Sequence, residues 1–294
     1  MLRKTSLTIL TVVTYLLTLA CSSAPEAPKP TLRFSAIPDQ NSTELQEKFQ
    51  PLANHLSQVL GVTVEYVPSR DYQATVEMFK NGDILLAWFG GLTGVQARAA
   101  VAGSRAIAQG DVDPKYYSYF IANRSTGLTK KDDFPMDIAK YKFTFGSESS
   151  TSGRLMPEFF IRQHAGKAPA DFFQQPVGFS GSHDKTAELV ESGQYEVGVL
   201  NYAVYDRRVS EGTTDPDVAR IIWQTPTYVD YHWVSHPRLE QDFGAGFTEK
   251  LQQALVGITD PTLLSALPRQ SLIPANDQDY EQLKKVAEQL GMLR

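Results

Sequence analysis

The hydrophobic positions of this chain change their spacing as it runs, from one long apolar stretch at the start to short strand-like runs that alternate with helical patterns. Leu7 to Leu19 is predominantly apolar, follows Arg3 and Lys4, and meets Ala20-Cys21, which is the order of a secretory signal peptide over residues 1–20. The stretch is shorter than the ~20 apolar residues needed to span a bilayer. The Pro-rich segment that follows, within 21–31, cannot pack into a core and predicts a tether. From Leu32 the pattern is that of a folded domain. Leu32 to Ile37 reads as a strand closed by Pro38. Thr43 with Gln46 fits a capping box, and Leu45, Phe49, Leu52, Leu56 and Val59 recur at helical spacing up to Gly61. Val62, Val64 and Tyr66 alternate as a second strand. Asp71 can cap a helix through Val76 and Phe79, Asn81-Gly82 turns the chain, and Ile84 to Phe89 reads as a buried strand ending on Gly90-Gly91.

Strand, helix, strand in that order predicts an α/β protein with mainly parallel sheets and a ligand crevice beyond the carboxyl ends of the strands. The pattern continues with strands at Tyr117–Ala122, Phe143–Phe145, Val197–Leu200 and Ile221–Trp223. Helices are expected at Leu155–His164, at Thr186–Val190, and in two patterns near the carboxyl end, through Leu251, Leu255 and Ile258 and through Leu283, Val286 and Leu290. Without the leader about 270 residues remain, enough for one large domain or two modest lobes.

Charge and cysteine content narrow the picture. The net charge is −5 and the Lys and Arg residues are scattered, so the footprint of a nucleic-acid binder is missing and an anion has to be held by local geometry. The single cysteine is Cys21, which excludes disulfides. It stands where a bacterial lipoprotein signal is cut and the new terminal thiol lipidated, although Thr18 occupies the place where a lipobox has Leu; cleavage and release is the alternative.

Candidate chemistry lies at helix starts. Gly146 to Gly153 (GSESSTSG) falls between a strand and a helix and carries several hydroxyls at the helix amino terminus, where unpaired N–H groups and the helix dipole can hold an oxyanion without a Lys. A plain Ser/Thr cap is the competing reading. His183, in Gly181-Ser182-His183-Asp184, again precedes a helical pattern and can donate to an oxyanion or simply cap. Pro226 to Trp233 is the densest aromatic cluster and embeds Asp230; it suits either a pocket wall or a partly buried strand. No His or Cys cluster has zinc-ligand spacing, Ser180 lacks a nucleophile elbow, and no P-loop or dinucleotide fingerprint follows the early strands, so no catalytic residue, metal or cofactor is assigned.

Several phrases together resemble the PhnD-type phosphonate and phosphite solute-binding proteins of ABC importers: Asp71-Tyr72, Trp88-Phe89-Gly90, Tyr116-Tyr117-Ser118, Ser150-Thr151-Ser152-Gly153 with Pro157 beyond, His183, and Ile222-Trp223 before Pro226. The resemblance runs over most of the mature chain. It implies the two-lobed periplasmic binding protein fold (type II), each lobe a mixed sheet flanked by helices, with the chain crossing near Ala122-Asn123 and Gln224-Thr225. Lobe one is then 32–122 plus 226–294 and lobe two 123–225, and the ligand is captured by hinge closure. By matching phrases, Ser150, Thr151 and Ser152 take the oxyanion at the helix start, Tyr72 and Tyr116 donate hydroxyls from the opposite lobe, and His183 adds a donor. Asp230 falls where the family places a carboxylate, with Tyr231 its rival for that position. Ala203 stands where aminoethylphosphonate binders carry a second carboxylate, which points to phosphite or a small alkylphosphonate. The Trp88–Gly94 phrase also looks like a selenate-binding subgroup, so a selenate- or sulfate-type oxyanion is the alternative within the family.

The resemblance further implies delivery of the ligand to a membrane permease with its ATPase, and a monomer exported to the periplasm or the outer face of the cell membrane, held there by its lipid. A ligand-sensing lipoprotein that signals to a receptor is the reading from another class. A secreted phosphoester or phosphonate hydrolase needs a nucleophile or metal cluster that the sequence does not offer.

Overall fold

The computed structural model describes residues 30–293; the leader, Cys21 and nearly all of the tether lie outside the described residues. In chain order the strands are β1 (Leu32–Ala36), β2 (Val64–Tyr66), β3 (Leu86–Phe89), β4 (Arg105–Gly110), β5 (Ser118–Asn123), β6 (Phe143–Phe145), β7 (Gly178–Phe179), β8 (Val197–Asn201), β9 (Ala219–Gln224), β10 (His232–Ser235) and β11 (Leu272–Pro274). The helices are α1 (Ser42–Leu60), α2 (Tyr72–Asn81), α3 (Gly91–Ala100), α4 (Met156–Ala165), α5 (Pro169–Phe172), α6 (His183–Glu191), α7 (Tyr202–Ser210), α8 (Arg238–Phe243), α9 (Phe247–Val256) and α10 (Glu281–Gln289). None of the described helices is long and apolar enough to cross a membrane.

Two mixed sheets carry the two lobes, one in the order β11-β4-β10-β3-β1-β2 and the other β7-β6-β8-β5-β9. In the first, β1 runs parallel to β2 and β3 while β10 inserts antiparallel between β3 and β4. In the second, β6 runs parallel to β7 and β8, and β5 lies antiparallel between β8 and β9. The expectation of mainly parallel sheets gives way to mixed ones, because β10 and β4 in the first sheet and β5 in the second run against their neighbours. The crossing expected at Ala122-Asn123 also moves. β5 pairs with β8 and β9, so the chain changes lobe between Gly110 and Ser118, one strand earlier, and returns between Gln224 and His232. The hydrophobic pattern of Tyr117–Ala122 marks a strand but cannot say which sheet it joins.

The two crossing segments pair with each other. Tyr116 and Tyr228 exchange backbone hydrogen bonds of 2.8 Å in each direction, and the Asp230 amide donates to the Asp113 carbonyl at 3.1 Å. Loop and element-terminal segments of this kind are where a change in the angle between two lobes is absorbed, as at a hinge.

Local signals explain most helix ends. Asp71 caps α2 by accepting from the Ala74 amide at 2.7 Å, and Gly61 ends α1 with φ 73°, a left-handed conformation that only glycine adopts without cost. The capping box at Thr43 is not used. Asn41 caps α1, its Oδ1 accepting from the Thr43 and Glu44 amides, because the helix begins at Ser42 and leaves Thr43 inside the first turn. In the first lobe the fully buried Trp233 packs edge-on against Phe34 of β1 and Phe49 of α1, tying β10 to the helix layer.

Candidate functional site

Each sheet ends on the space between the lobes. Asp39 follows β1, Gly90 follows β3, Ser150 to Ser152 follow β6, His183 follows β7, and Asn201 closes β8. These strands run parallel within their own sheets, so one end of each sheet collects all of these residues, as an α/β crevice requires.

On the second lobe, Thr151–Leu155 form one turn of π-helix ahead of α4, closed by a bond from the Leu155 amide to the Ser150 carbonyl at 2.9 Å. Such a turn is wider than an α-helical one and is common at functional sites. Its first amides have no acceptor within the helix. Ser150 caps it, accepting from the Gly153 amide at 2.9 Å. Ser150, Thr151 and Ser152 are all buried. Thr151 reaches across to the first lobe, where its Oγ1 accepts from the Leu92 amide at the start of α3, at 2.9 Å. Gly90 lets that approach happen: a Cβ there would lie 3.2 Å from Thr151 Oγ1 and 3.4 Å from Asp230 Oδ1.

On the first lobe, Asp230 is fully buried. Its Oδ1 accepts from the Gly91 amide at 2.9 Å, while its Oδ2 has no hydrogen-bond partner among the described residues. Burial, reinforced by the nearby Asp113 charge, pushes the carboxyl up to about 7, against the Gly91 hydrogen bond, the neighbouring Thr151 hydroxyl and the Arg269 charge, which favour its ionised form. The Tyr72 hydroxyl is likewise buried without a partner, and burial beside Asp39 and Asp230 pushes it well above its ordinary range, so it stays a neutral O–H donor.

A second group of contacts joins the lobes beside Tyr231. Its hydroxyl donates to Asp39 Oδ2 at 2.8 Å and accepts from Asn201 Nδ2 at 3.0 Å. His183 Nε2 lies 3.4 Å from that hydroxyl and 3.5 Å from Ser152 Oγ, while its Nδ1 accepts from the Asn201 amide at 3.4 Å. An accepting Nδ1 leaves the proton on Nε2, and burial holds the imidazole down to about 4, so His183 donates as a neutral ring rather than as a cation. Burial also pushes Asp39 up to about 6, against the Tyr231 hydrogen bond.

The structure therefore brings Tyr72, Ser150, Thr151, Ser152, His183, Asp230 and Tyr231 to one buried interlobe region. Tyr116 sits at the hinge, its ring edge-on to Tyr231 at 5.4 Å. Behind these rings lies a cation. Arg269 makes a two-pronged pair with Asp113 (2.6 and 2.8 Å) and stands over Trp88, Tyr116 and Tyr231 at 5.8, 5.1 and 5.1 Å from their centres. Asp113 neutralises it. Ala203 is half-buried in a cavity of about 10 Å³ shared with Asp39, Trp88, Asn201, Tyr231 and Arg269.

Sequence reasoning missed Asp39, Asn201 and the Asp113–Arg269 pair. Asp39 and Asn201 stood directly past two recognised strands, which is a usable signal. The ion pair joins residues 156 positions apart and has none. Among the described residues no group of three or more His, Cys, Asp or Glu side chains is placed to hold a metal ion.

Two sheets hinged by a crossing ribbon, with hydroxyls, helix amides and a neutral imidazole facing inward between them, define a ligand-capturing binding protein whose site suits a compact oxyanion. The family model described as "ABC transporter, phosphonate, periplasmic substrate-binding protein" matches residues 34–280, and the chain belongs to that family. It is 38% identical over 270 residues to the "Probable ABC transporter phosphite binding protein PhnD1" of Prochlorococcus marinus (strain MIT 9301), covering 90% of this chain and 91% of that relative. The solved structure of that PhnD1 in complex with methylphosphonate superposes with a TM-score of 0.84 at 37% identity, over 90% of this chain and 99% of the other. A binding protein component of an ABC phosphonate transporter from Pseudomonas aeruginosa shares the fold, with a TM-score of 0.76 at 20% identity over 88% of this chain and 85% of the other. The chain is thus the periplasmic solute-binding component of an ABC importer of the phosphonate type.

Proposed function

We propose that this protein captures phosphite or a small alkylphosphonate such as methylphosphonate, and hands it to an ABC permease. The buried, unpartnered Asp230 Oδ2 carries the reading. Ionised, this buried oxygen needs a ligand O–H, which a singly protonated phosphorus oxyanion has; sulfate and selenate can meet only the protonated form of Asp230, whose carboxyl stands at about 7, and are disfavoured increasingly above that pH. Thr151, Ser152, the amides of the π turn, Tyr72 and His183 supply donors for the remaining oxygens, and Tyr116 donates from the hinge side. Position 203 itself carries no carboxylate to pair a ligand amine, and the Asp39 carboxyl nearby is already engaged by the Tyr231 hydroxyl. The solved methylphosphonate complex of the 37% identical relative agrees with this choice.

The protein acts by binding and release, without chemistry on its ligand. Recovery of unchanged methylphosphonate after long incubation checks this, and release of inorganic phosphorus contradicts it. The signal-like residues 1–20 and Cys21 support export followed by lipidation, which leaves a monomer tethered to the outer face of the membrane by the segment up to residue 31; mass spectrometry of the processed amino terminus decides between the lipidated and the released form. Calorimetric titration of the mature chain with phosphite, methylphosphonate, phosphate, sulfate and selenate tests the ligand. The proposal expects the first two to bind most tightly, and a strong preference for selenate overturns it.

A further inference from the structure

We propose that Asp184 is a positioning residue for ligand capture, which clasps the lobes shut outside the pocket and sets how long a ligand is held. Asp184 is the second residue of α6 on the second lobe, directly after His183. Its two carboxylate oxygens face different lobes. Oδ1 accepts from Arg207 Nη2 at 2.8 Å and Arg208 Nη1 at 3.3 Å, both on α7 of the same lobe. Oδ2 accepts from the Asn41 backbone amide at 3.1 Å, across the cleft and 143 positions away in sequence. Asn41 is the cap residue of the 19-residue α1, so the carboxylate meets the partially positive end of a long helix. One residue earlier, the His183 amide donates to the Asp39 carbonyl at 3.1 Å, so the β1–α1 loop and the start of α6 are joined along one edge of the cleft.

The arrangement is asymmetric, and that makes it a clasp. The arginine bonds lie within one lobe and persist when the cleft opens. They are anchored in turn: Arg208 Nε donates to Thr214 Oγ1 at 2.9 Å and its Nη2 to the Thr213 carbonyl at 3.0 Å, while Arg207 Nη1 reaches Glu211 at 2.9 Å. The Asp184 carboxylate is therefore held ready in either state, with a side chain only 14% exposed, and little freedom is lost when it meets Asn41. Of the bonds made by the Asp184 carboxylate, only the one to Asn41 is specific to the closed form. An interaction made in one state alone shifts the equilibrium toward that state by its own free energy, whatever the ligand. A ligand enters an open cleft and leaves when it reopens, so the clasp acts on dissociation and leaves association and pocket selectivity alone.

The inference rests on the ligand-capture reading, and its test separates the two. Stopped-flow fluorescence of the mature chain with phosphite and with methylphosphonate is compared for the unaltered protein, Asp184→Ala, the isosteric Asp184→Asn, and Lys185→Ala on the exposed side of the same helix. Asp184→Ala is expected to raise the dissociation rate about tenfold, equivalent to about 1.4 kcal/mol, with association rates and the phosphite-to-methylphosphonate affinity ratio unchanged. Asp184→Asn shows a smaller rise and Lys185→Ala none. Thermal melting confirms that the variants fold, and the isosteric variant answers the question if Asp184→Ala does not. Dissociation within twofold of the unaltered protein overturns the clasp, and so does a changed affinity ratio, which places Asp184 in the pocket through His183. If neither ligand binds the unaltered protein, the ligand assignment fails. The clasp is then decided by the separation of fluorophores placed one on each lobe without ligand, where a wider spacing in Asp184→Ala supports it and an equal one overturns it.

Discussion

Tyr72 and Asp230 each bury a polar atom that has no hydrogen-bond partner among the described residues, an arrangement that costs stability and persists where a ligand supplies the partner. Tyr72→Phe is therefore expected to leave the unliganded protein as stable as before, or slightly more so, while weakening ligand binding by about 1–3 kcal/mol. Calorimetry and thermal melting on the same sample read the two effects, and a loss of stability without loss of affinity would make Tyr72 a structural residue. Thr151→Ala and Tyr116→Phe are expected to weaken binding by about the same 1–3 kcal/mol each, the range for removing a donor to a buried charge. Asp230 gives the site its pH dependence. With its carboxyl at about 7, the complex shares one proton between Asp230 and the ligand. Above about pH 7 both partners have lost that proton and binding must take one up, so affinity falls up to tenfold per pH unit. In acid both carry a proton, one too many, and affinity falls again. The expected optimum lies near neutrality for phosphite and methylphosphonate. In Asp230→Asn the alkaline limb flattens and sulfate gains relative to phosphite; a flat profile in the unaltered protein from pH 6 to 9 would contradict this role.

At the scale of elements, the hinge ribbon and the Asp113–Arg269 pair define what the lobes turn about. Both side chains of the pair are almost fully buried, at 2% and 0% exposure, so removing one partner strands the other. Arg269→Met is expected to cost about 3–5 kcal/mol in urea unfolding, and the double change Asp113→Asn with Arg269→Met considerably less. Additive losses would show that the two residues do not act as a pair. These elements also mark what could be read from the sequence. Strands β1, β3, β6 and β8 and helices α2, α9 and α10 declared themselves through alternation, caps and helical spacing, and the Gly146–Gly153 segment declared its helix start. Helix α3 did not, because its Gly-rich beginning hides a helix whose first amides contact Thr151 and Asp230. Sheet membership of β5 and the partner of Arg269 depend on contacts distant in sequence, and no local period encodes them; the cap at Asn41 is local, two positions ahead of the Thr43 signal.

For the whole molecule, the account is of two lobes whose closed form assembles one anion site from both sides. Thr151 meets Leu92, and His183 and Asn201 meet Tyr231, only when the lobes are together. A ligand that engages both sides shifts the molecule toward closure in proportion to its preference for the closed form. Small-angle scattering is accordingly expected to show a smaller radius of gyration with saturating methylphosphonate than without, and no change with equal sulfate. The central claim is that hydroxyl, amide and neutral imidazole donors at the π turn hold the anion, while the buried cation Arg269 remains committed to Asp113. The most direct measurement is the position of phosphorus in a crystal of the mature chain with methylphosphonate. The account predicts phosphonate oxygens within hydrogen-bond distance of Thr151, Ser152 and Tyr72, with one O–H on Asp230 Oδ2. Phosphorus seated instead against Arg269, with the Asp113 pair broken and the π turn untouched, would contradict it.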